Sequence, residues 1–218
     1  MAGAQGSALA IAVCEAGGLG SLPCAMLTPE AMHKELAAIR AGTSRPYNVN
    51  FFCHTPPEPI DAREAAWRAA LAPYYKEFGI DIANIPAGPG RAPFTAETAD
   101  VLEEFKPAVV SFHFGLPAPE LLARVRRWGA KVVSSATTVE EALWLEAHGA
   151  DAIIAQGTEA GGHRGHFLSH DLTAAAIVWF TQLLLYVRIM SRQEIEDSRQ
   201  EACTARVPER PATTPDLI

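Results

Sequence analysis

A chain of 218 residues, 49% of them hydrophobic, is long enough to bury one domain core and excludes wholesale disorder. The formal charge of −7, with no cluster of Lys and Arg, excludes a nucleic-acid surface and points to a small-molecule partner. Four cysteines, Cys14, Cys24, Cys53 and Cys203, form no CxxC pair and follow no basic leader, the pattern of reduced thiols in a cytoplasmic protein.

Residues 1–14 are apolar without a basic n-region and predict a buried helix. Residues 18–22 then read as a strand, and Thr28-Pro29-Glu30 opens a helix with a hydroxyl N-cap, proline at the first helical position and an acid near the positive helix end. That helix fades near Gly42, and residues 47–53 predict the next strand. A helix from about Asp61 to Gly79 places Ala65, Trp67, Leu71 and Tyr74 on one apolar stripe. The Pro- and Gly-rich residues 80–94 predict a loop with a short strand at 81–85, and a helix follows over 95–105.

The clearest alternation comes next: strand 108–113, helix 119–128, strand 131–135, helix 139–148 and strand 152–155. Thr137 with Glu140, and Thr138 with Glu141, both match a capping box. Repeated βα units of this kind predict a parallel sheet. Ends of successive strands carry His113, Ser135 and Gln156 at near-equal spacing, which sets them around one face. In a (β/α) barrel that face is where sites are built.

After Gln156 comes Gly157-Thr-Glu-Ala-Gly-Gly-His-Arg-Gly165. Its glycines permit close backbone approach to a planar ligand, although glycines alone also fit a tight turn. His163 is a candidate general base, because imidazole side chains as a class ionise near neutral pH, and a solvated loop histidine is the bland alternative. His113, between Phe112 and Phe114, is either a second histidine at the same mouth or a satisfied core residue. His163, His166 and His170 also invite a zinc reading, but neither helical spacing nor a nearby acid supports it, and no metal site is expected. GxSxG, P-loop and GxGxxG signatures are absent, so hydrolase, nucleotide-triphosphate and Rossmann readings lack support.

Residues 174–190 are almost unbroken apolar sequence, shorter than a membrane span and interrupted by Thr181, Gln182 and Arg188. They predict a buried helix, with a membrane tail anchor ranked last, and the Pro-bearing residues 203–218 predict disorder.

Five segments together resemble the nitronate monooxygenases, formerly 2-nitropropane dioxygenases, a family of FMN-dependent (β/α) barrels. They are Met1-Ala-Gly3, Glu15-Ala-Gly-Gly-Leu-Gly-Ser21, Tyr47-Asn-Val-Asn-Phe-Phe52, Val110-Ser-Phe-His-Phe-Gly115 and Ala155-Gln-Gly-Thr-Glu-Ala-Gly-Gly-His-Arg-Gly165. The resemblance implies that Met1, Ala2, Gly3 and Asn50 line the flavin, that Gln156 contacts its ring system, and that Gly161 and Gly162 let the loop lie beside it. It implies His163 as the catalytic histidine and His113 as a second one. The implied reaction oxidises an alkyl nitronate with O2 to a carbonyl compound and nitrite.

The resemblance runs to about residue 175, so residues 1–175 are expected to form a partial TIM-like (β/α)-barrel flavin domain. Residues 176–218 are expected to be a divergent C-terminal helix and tail. Relative to the family, a first strand and two later βα units with their phosphate-holding loops are not visible. Open sheet edges of that kind favour pairing with another chain, hence a possible oligomer. The alternative function is an inactive fragment or interaction module of the same lineage.

Overall fold

A computed structural model of the chain describes residues 3, 5–56, 58, 60–85, 91–157, 160–169 and 188–190. Helix α1 (Ser7–Glu15) precedes strand β1 (Gly20–Pro23), helix α2 (Pro29–Gly42) and strand β2 (Tyr47–Phe52). Helices α3 (Asp61–Glu77) and α4 (Ala96–Phe105) lead to β3 (Val109–His113). Then come α5 (Pro119–Arg127), β4 (Lys131–Ala136), α6 (Val139–Ala147), β5 (Ala152–Ala155) and β6 (Arg188–Met190).

Strands β1 to β5 lie in sequence order and pair in parallel, each with the next. A sheet that never reverses its strand order keeps its crossover helices on one face, as in a barrel, whereas a doubly wound sheet has a switch point. Helix α2 packs beside α4, and α4 beside α5, as the outer layer of such an arrangement requires.

Period-two alternation gives the strands two different faces. Leu22, Val49, Phe51, Val110, Phe112 and Val132 join Met32, Leu36, Ile39, Leu102 and Val125 in the core between strands and helices. Each large side chain fully buried there contributes roughly 1.5–3 kcal/mol. The opposite face is polar: Asn48 donates to Ser21 Oγ (3.1 Å) and Ser111 Oγ (2.9 Å), and Asn50 donates to Ser111 Oγ (2.9 Å). Gly20 permits α1 to sit on β1, since a Cβ there would collide with the Ala10 carbonyl and the Cys14 sulfur.

Helix boundaries follow their capping chemistry. The Thr28 hydroxyl accepts from Ala31 N at 3.2 Å with Pro29 at the first turn, and Thr95 and Thr98 form a reciprocal capping box. Thr138 caps α6 by accepting from Glu141 N at 3.1 Å. The Glu141 carboxylate does not complete the box on Thr138, however; it binds Thr137 instead.

Four expectations are corrected. The first helix begins at Ser7, and of its residues only Ala10 and Cys14 are buried. Helix α3 forms over the expected residues, but none of its residues is buried, and Trp67 and Tyr74 of the apolar stripe are 63% and 57% exposed. The reason is topological: α4 occupies the slot between α2 and α5 that covers the sheet, and α3 is an extra element. Residues 82–84 form a single 3₁₀ turn rather than a strand. Finally, Arg188–Met190, the end of the run expected to be helical, is a strand antiparallel to β5. The rest of that run, and residues 203–218, lie outside the described residues. Among the described residues no helix is long and apolar enough to cross a membrane.

Candidate active site

The carboxyl ends of β3, β4 and β5 bring His113, Ser135 and Gln156 together. His113 Nδ1 lies 3.1 Å from Ser135 Oγ, and His113 Nε2 lies 3.1 Å from the carbonyl oxygen of His163. A carbonyl only accepts, so Nε2 carries the proton, and Nδ1 of the neutral ring accepts from the Ser135 hydroxyl. Both ring nitrogens are thereby occupied. Burial pushes the His113 imidazole below its ordinary value of 6.5, against an opposing effect of the bond to His163.

That depression carries a stability signature. Above pH 6.5 the ring is neutral both in the folded and in the unfolded chain. As pH drops below 6.5 the unfolded chain takes up a proton that the folded ring refuses, so this contribution falls until the folded ring also titrates. Urea unfolding at stepped pH should therefore show a loss below pH 6.5 that is smaller in His113→Asn. Identical pH slopes in the two proteins would contradict it.

Gln156 clamps the loop that comes after it. Its Nε2 donates to the His163 carbonyl at 2.9 Å, and its Oε1 accepts from Gly165 N at 2.7 Å. The amide expected against a flavin ring is thus engaged within its own loop. His163 itself is exposed, with its ring edge-on to Phe52 (centroids 5.8 Å apart) and Phe114 (6.2 Å). The loop is held by the backbone of His163, while its imidazole contacts Phe52 and Phe114 and is exposed.

Phe114, directly after β3, adopts φ +67, a conformation that residues with a Cβ rarely take, and Gly115 comes next at φ +91. Ser134 Oγ, donating to Gly115 O at 2.8 Å, holds this corner. Such strain persists where surrounding structure over-determines it, commonly at functional sites. Beside the corner lies a cavity of about 390 Å³ lined by Phe114, Trp144, Phe167, Cys53, His54 and His166. The Nδ1 atoms of His54 and His166 are buried without a hydrogen-bond partner among the described residues.

Asn50 sits on the polar face of β2, two residues along from Asn48, whose buried Oδ1 has no partner among the described residues. Gly3 (φ +78) and Gly162 (φ +82) occupy the left-handed region, whereas at Gly161 a Cβ would meet only open space. Met1 and Ala2 lie outside the described residues, as does His170. Among the described residues no cluster of three His, Cys, Asp or Glu could hold a metal ion. Cys14, Cys24 and Cys53 are free thiols, and burial pushes Cys24 up to about 12 and raises Cys53 as well, so neither of these two is poised as a nucleophile.

Ser111 and Asn48 are not singled out by the sequence, and Glu141 is legible there only as a helix cap. Alternation of Asn48, Val49, Asn50 and Phe51 in β2 was the available signal for Asn48. Nothing in the sequence signals Glu141's partners Phe167 and Leu168, which lie 26 and 27 residues further on.

Among known proteins, the family model for nitronate monooxygenase matches residues 1–184. A nitronate monooxygenase of Paraburkholderia phytofirmans is 45% identical over 172 residues, covering 77% of this chain and 46% of that protein. One of Pseudomonas aeruginosa is 43% identical over 171 residues, covering 77% and 48%. The chain thus spans about half the length of the curated relatives it matches. Crystal structures of a nitroalkane oxidase from Streptomyces ansochromogenes match with a TM-score of 0.67 at 41% identity, covering 78% of this chain and 48% of that one. FabK from Thermotoga maritima, as its M276A variant, matches with a TM-score of 0.55 at 28% identity, covering 77% and 43%. These neighbours are TIM barrels, of which the described residues cover a part. The chain belongs to the nitronate monooxygenase family.

Proposed function

We propose that residues 1–175 form the flavin-facing part of an FMN-dependent nitronate monooxygenase that converts alkyl nitronates and O2 to carbonyl compounds and nitrite. The observation that carries this reading is the convergence of three strand ends on one loop, with the His163 backbone fixed and, among the described residues, no hydrogen bond to its ring. A positioned general base needs that arrangement: a rigid mount and an unoccupied nitrogen.

The polar face of β1 to β3 fits a flavin better than it fits a dry barrel interior, which is dominated by branched apolar residues. Asn48 Oδ1 in particular is a buried acceptor lacking a donor among the described residues. Met1, Ala2, Gly3, Asn50, Gln156, Gly161 and Gly162 would hold the cofactor. FMN, when bound, supplies the electron chemistry between nitronate and O2. The chain's own work is acid–base and steric. An unprotonated ring nitrogen of His163 takes the α-proton of a neutral nitroalkane, and the protonated ring attracts an anionic nitronate. His113, with both nitrogens engaged, orients the His163 backbone rather than moving a proton. The free thiols support a cytoplasmic location.

Purified chain supplied with FMN should show flavin absorbance and nitronate-dependent oxygen uptake. A colourless protein, or a flavin-loaded one without uptake, would overturn the proposal in favour of an inactive member of the same lineage.

A further inference from the structure

We propose that Glu141 is the positioning residue that fixes the His163 loop, a role separate from its place in the first turn of α6. This rests on the proposed function only in so far as the loop is the active-site loop.

The side chain is 1% exposed. Its Oε2 accepts from Thr137 N (2.7 Å) and Thr137 Oγ1 (2.8 Å), and its Oε1 accepts from Phe167 N (2.6 Å) and Leu168 N (3.3 Å). Three of these donors are backbone N–H groups that can only donate, and the hydroxyl satisfies the same role. The arrangement is one an acceptor-only carboxylate matches and a carboxamide does not. No Lys or Arg pairs with it among the described residues. A buried carboxylate without a cation is costly, and the hydrogen bonds to it offset that cost only while all its partners stay in place.

An ordinary helix cap does not need this geometry, because Thr138 already caps α6. What the carboxylate adds is a tie across 26 residues from the β4–α6 corner to the outgoing arm of the histidine loop. Gln156 holds the loop at the His163 carbonyl and the Gly165 N–H, and Glu141 holds the segment just beyond, so His163 is fixed at its own backbone and along the chain that follows it. The tie also seats Phe167, whose ring lies edge-on to Trp144 with centroids 5.3 Å apart and lines the cavity beside Phe114.

Two measurements on the full chain test this. In the wild-type protein the Phe167 and Leu168 amides should exchange with solvent about a hundredfold more slowly than free amides. Unprotected amides would overturn the proposal without any variant. Glu141→Gln keeps the size of the side chain and replaces one acceptor by a donor. It should abolish that protection and speed tryptic cleavage after Arg164 by about tenfold, leaving cleavage after Arg68, on the exposed helix α3, unchanged. It should also lower kcat about tenfold or more with KM within about twofold, because the base is misplaced while the mouth persists. Phe167→Ala, which keeps the N–H, should leave cleavage within about twofold of wild type. Faster cleavage in Phe167→Ala with none in Glu141→Gln would transfer the role to ring packing and sink the proposal. Wild-type kcat in a Glu141→Gln chain with a loosened loop would likewise refute positioning. Protected amides in a wild-type chain that oxidises no nitronate would count against the active-site reading and leave the tie standing.

Discussion

Replacing His163 by alanine should lower turnover of a neutral nitroalkane by about 10²–10⁴-fold, the usual loss when a general base is removed. Flavin content should stay at the wild-type level. The reason is which part of His163 the fold uses: its carbonyl accepts from Gln156 Nε2 and His113 Nε2, and alanine keeps that carbonyl. Among the described residues the ring makes edge contacts with Phe52 and Phe114, with centroids about 6 Å away. A preformed nitronate needs no proton removed, so its oxidation should fall much less than that of the nitroalkane. Rates for both substrates, set beside the flavin-to-protein absorbance ratio, check this. Equal loss of flavin and turnover would mean that the ring is structural, and equal loss with both substrates would remove the base role.

The contrast between ring and carbonyl also explains how much of the molecule was legible. Parallel strands buried against helices are written in the sequence as short apolar runs, and β2 to β5 fall within a residue or so of where periodicity puts them. The histidine loop was legible because glycine density is a property of side chains. What pins the loop was not, because the His163 carbonyl, the Gly165 N–H and the Phe167 N–H belong to every residue alike. Glu141 illustrates the limit from the other side. Its spacing from Thr138 suggested a local cap, and the structure uses the carboxylate on Thr137 and on a segment 26 residues away.

Helix α3 shows the same limit in the core. Its apolar stripe has the right period, but periodicity describes one partner and says nothing of whether another helix has taken the site. Helix α4 has: Ala99, Leu102 and Phe105 are buried where Trp67 and Tyr74 are not. Phe114 is a third case, since no sequence rule places an aromatic residue at φ +67. The turn at the end of β3 forces the position, with Gly115 at φ +91 and Ser134 holding its carbonyl.

Gly165→Ala should be the most damaging single-methyl change in the site. The added carbon would lie 2.5 Å from His113 Cε1, 3.0 Å from His113 Nδ1 and 3.2 Å from Gln156 Oε1. Elsewhere a ring would swing aside at little cost, but here His113 is bonded at Nδ1 to Ser135 and at Nε2 to the His163 carbonyl, and Gln156 Oε1 is bonded to the same Gly165. Relieving the clash must break at least one of those bonds, so overpacking and a lost hydrogen bond combine to about 3 kcal/mol of destabilisation. Turnover should fall with it, because the displaced ring no longer supports His163. The cause can be isolated with a second substitution. His113→Ala removes the obstructing atoms, so in the double variant the methyl group added at position 165 finds space, and its cost should shrink by more than about 1 kcal/mol relative to the sum of the single changes. Denaturant unfolding of the four proteins measures that coupling. Strict additivity would show that the methyl group is accommodated by movement of the loop, and that His113 is not what confines residue 165 to glycine.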